Sequence, residues 1–110
     1  MKPYVIKNKE FVEFFGKLSP RKKKKLIPVL SKDQVNTISE ICKNFLKRNL
    51  TEDPNVIKKL RHTKNEIKSI ALKTLPLYKK KNILQTRKGG AILSVLLPLA
   101  ASIVTSLLVK

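Results

Sequence analysis

An uncharged run of twenty-one residues, from Gly89 to Val109, constrains this chain more than any other feature of its sequence. All but one of the 25 Lys and Arg residues and all seven acids precede it. A helix of ~20 apolar residues crosses the hydrocarbon core of a bilayer, so the run is long enough to be a candidate membrane span. Pro98 near its centre and several Ser and Thr residues lower its hydrophobicity, and its length therefore does not settle its role.

Three interpretations of this run stay open at the level of sequence. The first is a buried helix of a small helical core. The second is a C-terminal membrane anchor, with Arg87 and Lys88 held on the cytoplasmic side. The third is a segment that is sequestered in an assembly and later meets a membrane or is cleaved off. Because glycine tolerates backbone angles that other residues avoid, we expect a hinge at Gly89-Gly90. The hinge would divide the chain into a basic helical domain, residues 1–88, and a hydrophobic segment, residues 89–110.

The charge balance is the second informative feature. The 110 residues carry 25 basic and seven acidic side chains, a net charge of +18. Self-repulsion makes such a charge costly in the absence of a polyanion. We therefore expect a polyanionic partner, with DNA, RNA and anionic lipid as the candidates.

The basic residues are most concentrated in two regions, a run of five at residues 21–25 and the stretch just before the uncharged run. A lysine ammonium contacts phosphates and does not read bases, so we expect binding without sequence preference, most readily to duplex DNA. A basic run of this length can also serve as a nuclear import signal or form a solvated helix face. The predicted nucleic-acid-binding residues are Arg21, Lys22, Lys23, Lys24, Lys25, Lys79, Lys80, Lys81, Arg87 and Lys88.

The sequence lacks the groups that catalysis needs, namely a nucleophile, a base and an orienting residue that can be brought together. It contains one cysteine, Cys42, and one histidine, His62. A disulfide within the chain is therefore excluded, and a Cys/His zinc site cannot be assembled. We predict that the protein is not an enzyme and uses no metal or cofactor.

Apolar residues repeat with helical period throughout, which predicts an all-α fold: a small bundle of short amphipathic helices followed by a hydrophobic C-terminal helix. We expect a first helix within residues 1–18 that ends at Gly16, and a second that starts at Ser19-Pro20. Ser31 and Gln34 form a capping box that opens the best helix, about residues 32–49. Its buried stripe is predicted to be Val35, Ile38, Ile41, Cys42, Phe45 and Leu46.

Three further helices are predicted before the uncharged run. Asp53 and Pro54 start one of them, as N-cap and first-turn residue. Thr63 and Glu66 form a second capping box, which opens a helix that ends before Pro76. A last short helix is expected over about residues 77–86.

The order of features from about Leu60 onward, LRHTKNEIKSIALKTLPLYKKKNILQTRKGGAILSVLLPLAASIVTSLL, resembles a small basic protein of Polinton or Maverick elements and adintoviruses. In those proteins a basic helical region, a K-K-x-I-L-Q-like segment and a Gly-Gly pair precede a hydrophobic C-terminus. They are in turn compared with the adenovirus core-protein precursor that condenses virion DNA. The resemblance implies that the basic region includes Lys79 to Lys81 with Arg87 and Lys88, and that Gly89-Gly90 is a candidate processing site. This chain departs from the pattern at Arg87, where related viral proteases favour an apolar residue, and in using lysine in place of arginine.

We therefore expect a non-enzymatic structural protein of a virus or mobile element that packages or condenses a genome in the virion or host nucleus. Its hydrophobic segment would mediate assembly, through other virion proteins or self-association, or membrane contact. The alternative is a tail-anchored or membrane-active protein whose basic helices bind anionic lipid. A helical interaction domain for an acidic protein partner is a third option.

Overall fold

In the computed structural model the described residues are 7–47 and 54–109, with side chains described as far as Ser102. Every regular element within these ranges is helical, which confirms the all-α fold class. The elements are α1 Lys9–Lys17, α2 Pro20–Leu26, a 3₁₀-helix Ile27–Val29, α3 Lys32–Lys47, α4 Pro54–Arg61, α5 Lys64–Ala71, α6 Leu77–Leu84 and α7 Arg87–Val109.

Helix α7 is the centre of the bundle, because it contacts each of the other six α-helices. Its most extensive contact is with α1, which contributes Val12 and Phe15 to the core. The radius of gyration is 12.7 Å, close to the ~13 Å of a compact domain of about 100 residues. The described part of the uncharged run is thus a core helix, as in the first of the three interpretations. Its buried residues are Ile92, Leu93, Leu96, Leu97 and Ala100.

None of the helices, within the residues that the structure describes, combines the length and the apolar character that a membrane span requires.

The expected hinge at the glycine pair is not observed. Helix α7 begins at Arg87, so Gly89 and Gly90 lie in its first turn, and neither has a positive φ. The Thr86 hydroxyl accepts the Gly89 N–H at 3.0 Å, and the Thr86 carbonyl accepts the Gly90 N–H at 2.9 Å. These bonds hold the pair in the helix, as an N-cap residue does. The division of the chain into two domains at this point stays a prediction, and in this structure residues from both sides of the pair share one core.

Gly16 does not end the first helix, contrary to expectation. Helix α1 continues to Lys17, and Leu18 is the first residue with extended backbone. A Cβ atom at Gly16 would lie 3.4 Å from Leu97 Cβ and 3.6 Å from Pro98 N. The glycine therefore allows α1 to approach α7 closely, and its role is in packing.

Two of the predicted helix starts depend on side chains that bond within three residues, and both are confirmed. Ser19 Oγ accepts the Lys22 N–H at 3.4 Å at the start of α2. In the capping box of α3, the Ser31 N–H donates to Gln34 Oε1 at 2.8 Å and the Gln34 N–H donates to Ser31 Oγ at 3.1 Å. Helix α4 begins at Pro54, as predicted, and its proposed cap Asp53 lies outside the described residues.

The predicted apolar stripe of α3 is buried at its first four positions and opens to solvent at the last two. Val35, Ile38, Ile41 and Cys42 are buried, Phe45 is part-buried, and Leu46 is 39% exposed. The core therefore covers the first three turns of α3. The predicted end of this helix near Asn49 lies outside the described ranges.

The prediction of a second capping box, at Thr63 and Glu66, is wrong. Thr63 precedes α5, but its hydroxyl donates to the Leu60 carbonyl at 3.0 Å and makes no cap bond. Its backbone, at φ −114° and ψ 14°, lacks the extended conformation that an N-cap residue usually has. Only two residues join α4 to α5, so the threonine stays attached to the last turn of α4. Glu66, the other half of the proposed box, forms an ion pair with Lys88 instead, at 3.4 Å.

Candidate nucleic-acid interface

The basic run of α2 has one buried member. Arg21, Lys22, Lys24 and Lys25 are exposed, whereas Lys23 is only 4% exposed. Residues three and four positions apart share a helix face, and Lys23 therefore lies on the face that carries Leu26 and Ile27 into the core. Burial lowers the pKa of Lys23 from its ordinary value. Four of the five side chains in the run are thus available to a polyanion at the surface.

Helix α7 brings part of this run together with cations from the other end of the chain. A cavity of about 400 Å³ lies between α2 and the first turns of α7, and we call it the α2–α7 cavity. Lys23 and Lys24 line it from α2, and Arg87 lines it from α7. No acid is found among the described residues that line it. Two of the regions that were predicted from the sequence to bind phosphate are therefore neighbours in space.

On the other side of Arg87, α4 adds basic residues that the sequence did not nominate. A second cavity, of about 410 Å³, is lined by Lys59, His62, Arg87 and Lys88. The sequence signal that could have identified these basic residues is the composition of α4, whose last turn contains Lys58, Lys59 and Arg61. Since Arg87 borders both cavities, the basic residues that line them lie around it. These residues, here called the basic band, are Lys23, Lys24, Lys59, His62, Arg87 and Lys88, and Lys23 is the buried member.

One charge of the basic band is partly compensated. Lys88 Nζ lies 3.4 Å from Glu66 Oε1, and the second carboxylate oxygen of Glu66 is buried with no hydrogen-bond partner in the described part of the chain. The lysine side chain is 61% exposed, so this ion pair is screened by solvent and its contribution is small. The potential around Arg87 is therefore positive.

The predicted triplet Lys79, Lys80 and Lys81 does not form one patch. Lys79 is exposed. Lys80 is 4% exposed, and its Nζ donates to Ser39 Oγ at 2.9 Å, with its pKa lowered by burial. Lys81 Nζ donates to the Pro28 carbonyl at 2.9 Å. Successive residues of a helix point in directions about 100° apart, and each lysine consequently meets a different environment.

A second group of cations surrounds Lys80, but it includes acids. A cavity of about 570 Å³ beside α3 is lined by Lys32, Lys43, Lys73 and Lys80 together with Asp33 and Glu40. The two carboxylates offset part of the positive charge. This mixed cluster is less suited to a polyanion than the basic band.

Groups suited to metal binding or nucleophilic chemistry are not assembled in the described residues. No cluster of three or more His, Cys, Asp and Glu side chains occurs there. Cys42 is fully buried, and burial raises the pKa of its thiol to about 12, an effect that the nearby Lys80 charge opposes. A neutral thiol inside the core is not a nucleophile.

Gly89 is buried and Gly90 is part-exposed, both in helical conformation. As a processing site the pair stays a prediction.

Comparisons of this chain with protein-family models, curated proteins and solved structures give no match. The resemblance to Polinton and adintovirus proteins therefore stays a prediction.

Proposed function

We propose that this protein is a non-enzymatic structural protein of a virus or mobile element, which binds duplex DNA without sequence preference during genome packaging. The observation that supports it best is the basic band, in which α7 brings cations of α2 and α4 beside Arg87. Lys and Arg neutralise phosphates and release condensed counterions, and this suffices for binding without base contacts. The virion or host nucleus is the proposed location, on the resemblance alone.

A duplex offers more phosphates along one face of the protein than the band can contact. The longest dimension of the molecule is 36 Å, and duplex DNA carries a negative charge for each ~1.7 Å of its axis. One face of the protein therefore spans many more phosphates than the band has cations. Each neutralised phosphate contributes ~0.9 to the slope of log affinity against log salt, and the four exposed Lys and Arg residues of the band, Lys24, Lys59, Arg87 and Lys88, predict a slope of about −3.6.

The hydrophobic segment supports this function by holding the basic helices in place. Helix α7 contacts the helices that carry Lys23, Lys24 and Lys59, and it carries Arg87 and Lys88 itself. The helix that contains the apolar run therefore also positions the basic band.

Fluorescence anisotropy with two 20-base-pair duplexes of unrelated sequence, titrated between 50 and 300 mM salt, tests the proposal. The variant Lys24→Gln/Arg87→Gln removes two charges from the basic band, and we expect it to lower the salt slope by about 1.8. The control Lys43→Gln/Lys73→Gln removes two charges from the mixed cluster around Lys80. We expect the control to change the slope much less, and the two duplexes to bind equally.

Affinity that does not change with salt would exclude the electrostatic account. Equal losses in the two double variants would show that the band is not the contact surface. Vesicles with and without anionic lipid form a separate arm of the test. Binding to anionic vesicles with no binding to either duplex would favour the membrane-surface alternative.

A further inference from the structure

Tyr78 is the most exposed aromatic side chain among the described residues, at 63% exposed. It lies in the first turn of α6. One turn further on, Lys81 Nζ donates to the Pro28 carbonyl at 2.9 Å, so the 3₁₀-helix packs against this side of α6. The 3₁₀-helix contributes Val29, which is 75% exposed. The contact between the two helices therefore carries an exposed ring and an exposed aliphatic side chain.

Polar side chains share the helix face of Tyr78. Side chains three, four and seven positions apart lie on one side of an α-helix. Helical backbone extends through Gln85, the C-cap residue of α6, so this spacing applies along the whole element. The face, here called the Tyr78 face, consists of Tyr78, Lys81, Asn82 and Gln85. It offers a ring, an ammonium group and two amides within about two helical turns.

The surroundings of the Tyr78 face are basic. Residues 20–30 and 67–88, which include the 3₁₀-helix and α6, contain no Asp or Glu. Lys79, the residue after the ring, is exposed. Lys80 points about 160° away from Tyr78, and the carboxylates of Asp33 and Glu40 line the cavity on that other side of α6. A polyanion that approaches Tyr78 therefore meets cations.

The Tyr78 face leads to the basic band. Gln85, at the end of the face, lines the α2–α7 cavity together with Lys24 and Arg87. At a rise of ~1.5 Å per residue, Tyr78 and Gln85 are separated by ~10 Å along the helix. A nucleic-acid strand with a phosphate at Arg87 therefore needs only a short extension to place a base at Tyr78.

An exposed ring beside cations is suited to unpaired bases. In a duplex each base is stacked on its neighbours, whereas a single strand presents the flat faces of its bases, on which an aromatic ring stacks without regard to sequence. Unpaired bases also present their hydrogen-bonding edges, which the Asn82 amide can contact. We propose that the Tyr78 face binds single-stranded DNA, with one base stacked on Tyr78 and the adjoining phosphates at Lys79 and Lys81. Lys81 bonds to Pro28 through one N–H and has two more to donate.

Three oligonucleotides separate base stacking from phosphate contacts in fluorescence anisotropy with the full chain at 150 mM salt. They are a 12-nucleotide thymidine strand, an abasic strand of the same length and a 12-base-pair duplex. The two single strands have the same phosphates, but only the first has bases. We expect the thymidine strand to bind at least fivefold more tightly than the abasic strand, the lower end of what one stacked base contributes. The phosphate contacts of the basic band rest on the proposed function, so the duplex reports on that function and the two single strands report on the Tyr78 face.

Substitutions at exposed aromatic residues locate the stacked base. Tyr78→Ala should weaken binding of the thymidine strand at least fivefold and change binding of the abasic strand and the duplex less than twofold. Tyr78→Phe keeps the ring, and its affinity should stay within twofold of the wild type. Phe14→Ala is the matched control, because Phe14 is 59% exposed but shares its helix face with Glu10, and we expect a change below twofold. Both side chains are exposed, so all three variants should fold, which circular dichroism verifies.

Tyrosine emission gives an independent measurement of the stacking. The chain contains two tyrosines and no tryptophan, so in a Tyr4→Phe variant the emission reports on Tyr78 alone. We expect the thymidine strand to quench this emission and the abasic strand to leave it unchanged.

Equal affinity for the thymidine and abasic strands would overturn the proposal, since binding would then depend on phosphates alone. So would equal losses for the thymidine strand and the duplex in Tyr78→Ala, or a loss in Phe14→Ala as large as that in Tyr78→Ala. If Tyr78→Ala weakened binding to anionic vesicles and left the thymidine strand unaffected, the ring would belong to a membrane contact instead. Base-dependent binding of the thymidine strand without binding of the duplex would refute the proposed function and support the Tyr78 face.

Discussion

Alanine substitutions at Gly89 and Gly90 add the same methyl group at adjacent positions of one helical turn, yet we expect effects of opposite sign. At Gly89 the added Cβ would meet the Ile83 carbonyl oxygen and lie 2.6 Å from Leu84 Cα. These are backbone atoms of the last turn of α6, which a rotamer change cannot move. At Gly90 the added Cβ would meet no heavy atom within 4 Å.

The two effects can be estimated from helix propensity and overpacking. Alanine is more favourable than glycine inside a helix by ~0.5–1 kcal/mol, so Gly90→Ala should stabilise the protein by about that amount. Gly89→Ala gains the same term, but overpacking costs ~1–3 kcal/mol, and the upper end applies because α6 or α7 must move. We expect Gly89→Ala to lower the free energy of unfolding by about 2 kcal/mol. The two variants should then differ by about 3 kcal/mol.

Urea denaturation followed by far-ultraviolet circular dichroism measures both values, with the wild-type chain as reference. An unchanged slope of the unfolding free energy against urea concentration would show that the variants expose as much surface on unfolding as the wild type does. If Gly89→Ala were as stable as Gly90→Ala, the close contact between α6 and α7 would be refuted. If both variants were destabilised equally, the pair would act as a flexible hinge, as the sequence first suggested.

Four other tests probe separate parts of the structure. Cys42 should resist iodoacetamide at pH 8 in the native protein and react in denaturant, and rapid labelling of the native protein would contradict its burial. Burial raises the pKa of the Cys42 thiol from about 9 to about 12. The contribution of the neutral thiol to the free energy of unfolding should therefore be complete below pH 9 and be lost as the pH rises toward 12. Leu97→Asp places a carboxylate at a position that is 1% exposed, so the cooperative thermal transition should disappear; a folded variant that had lost only vesicle binding would instead support a membrane role. Ser31→Ala should lower the free energy of unfolding by ~1 kcal/mol in urea titrations, and no change would show that the capping box is not formed in solution. For DNA binding, Lys24→Gln should lower the salt slope by ~0.9, whereas Lys80→Gln should leave it unchanged, and a loss of ~0.9 in both variants would refute the burial of Lys80.

Features that depend on a few neighbouring residues could be predicted from the sequence. The Ser31–Gln34 capping box and the start of α2 at Ser19 were correct, because donor and acceptor are three residues apart. Thr63 shows the limit of this reasoning. It begins the same kind of motif, but its hydroxyl bonds back to Leu60. The sequence pattern does not report the short connection to α4 that favours this choice.

The placement of the cations could not be predicted in the same way. Lys79, Lys80 and Lys81 are identical in sequence terms, yet one is exposed, one is buried on Ser39 and one bonds to Pro28. Lys59 and His62 joined the basic band only because α4 lies beside α7. Their sequence neighbours give no sign of that contact.

The amino-acid sequence by itself determined the helical class, the net charge of +18 and the presence of one long apolar run. Helix formation depends on periodicity and on caps within one or two turns, and net charge depends on composition alone. Tertiary structure decided that the apolar run is the helix against which all the others pack, and which cations meet around Arg87. Burial and desolvation depend on partners that are distant in the chain, so the environment of each apolar or charged side chain is fixed only when the helices come together.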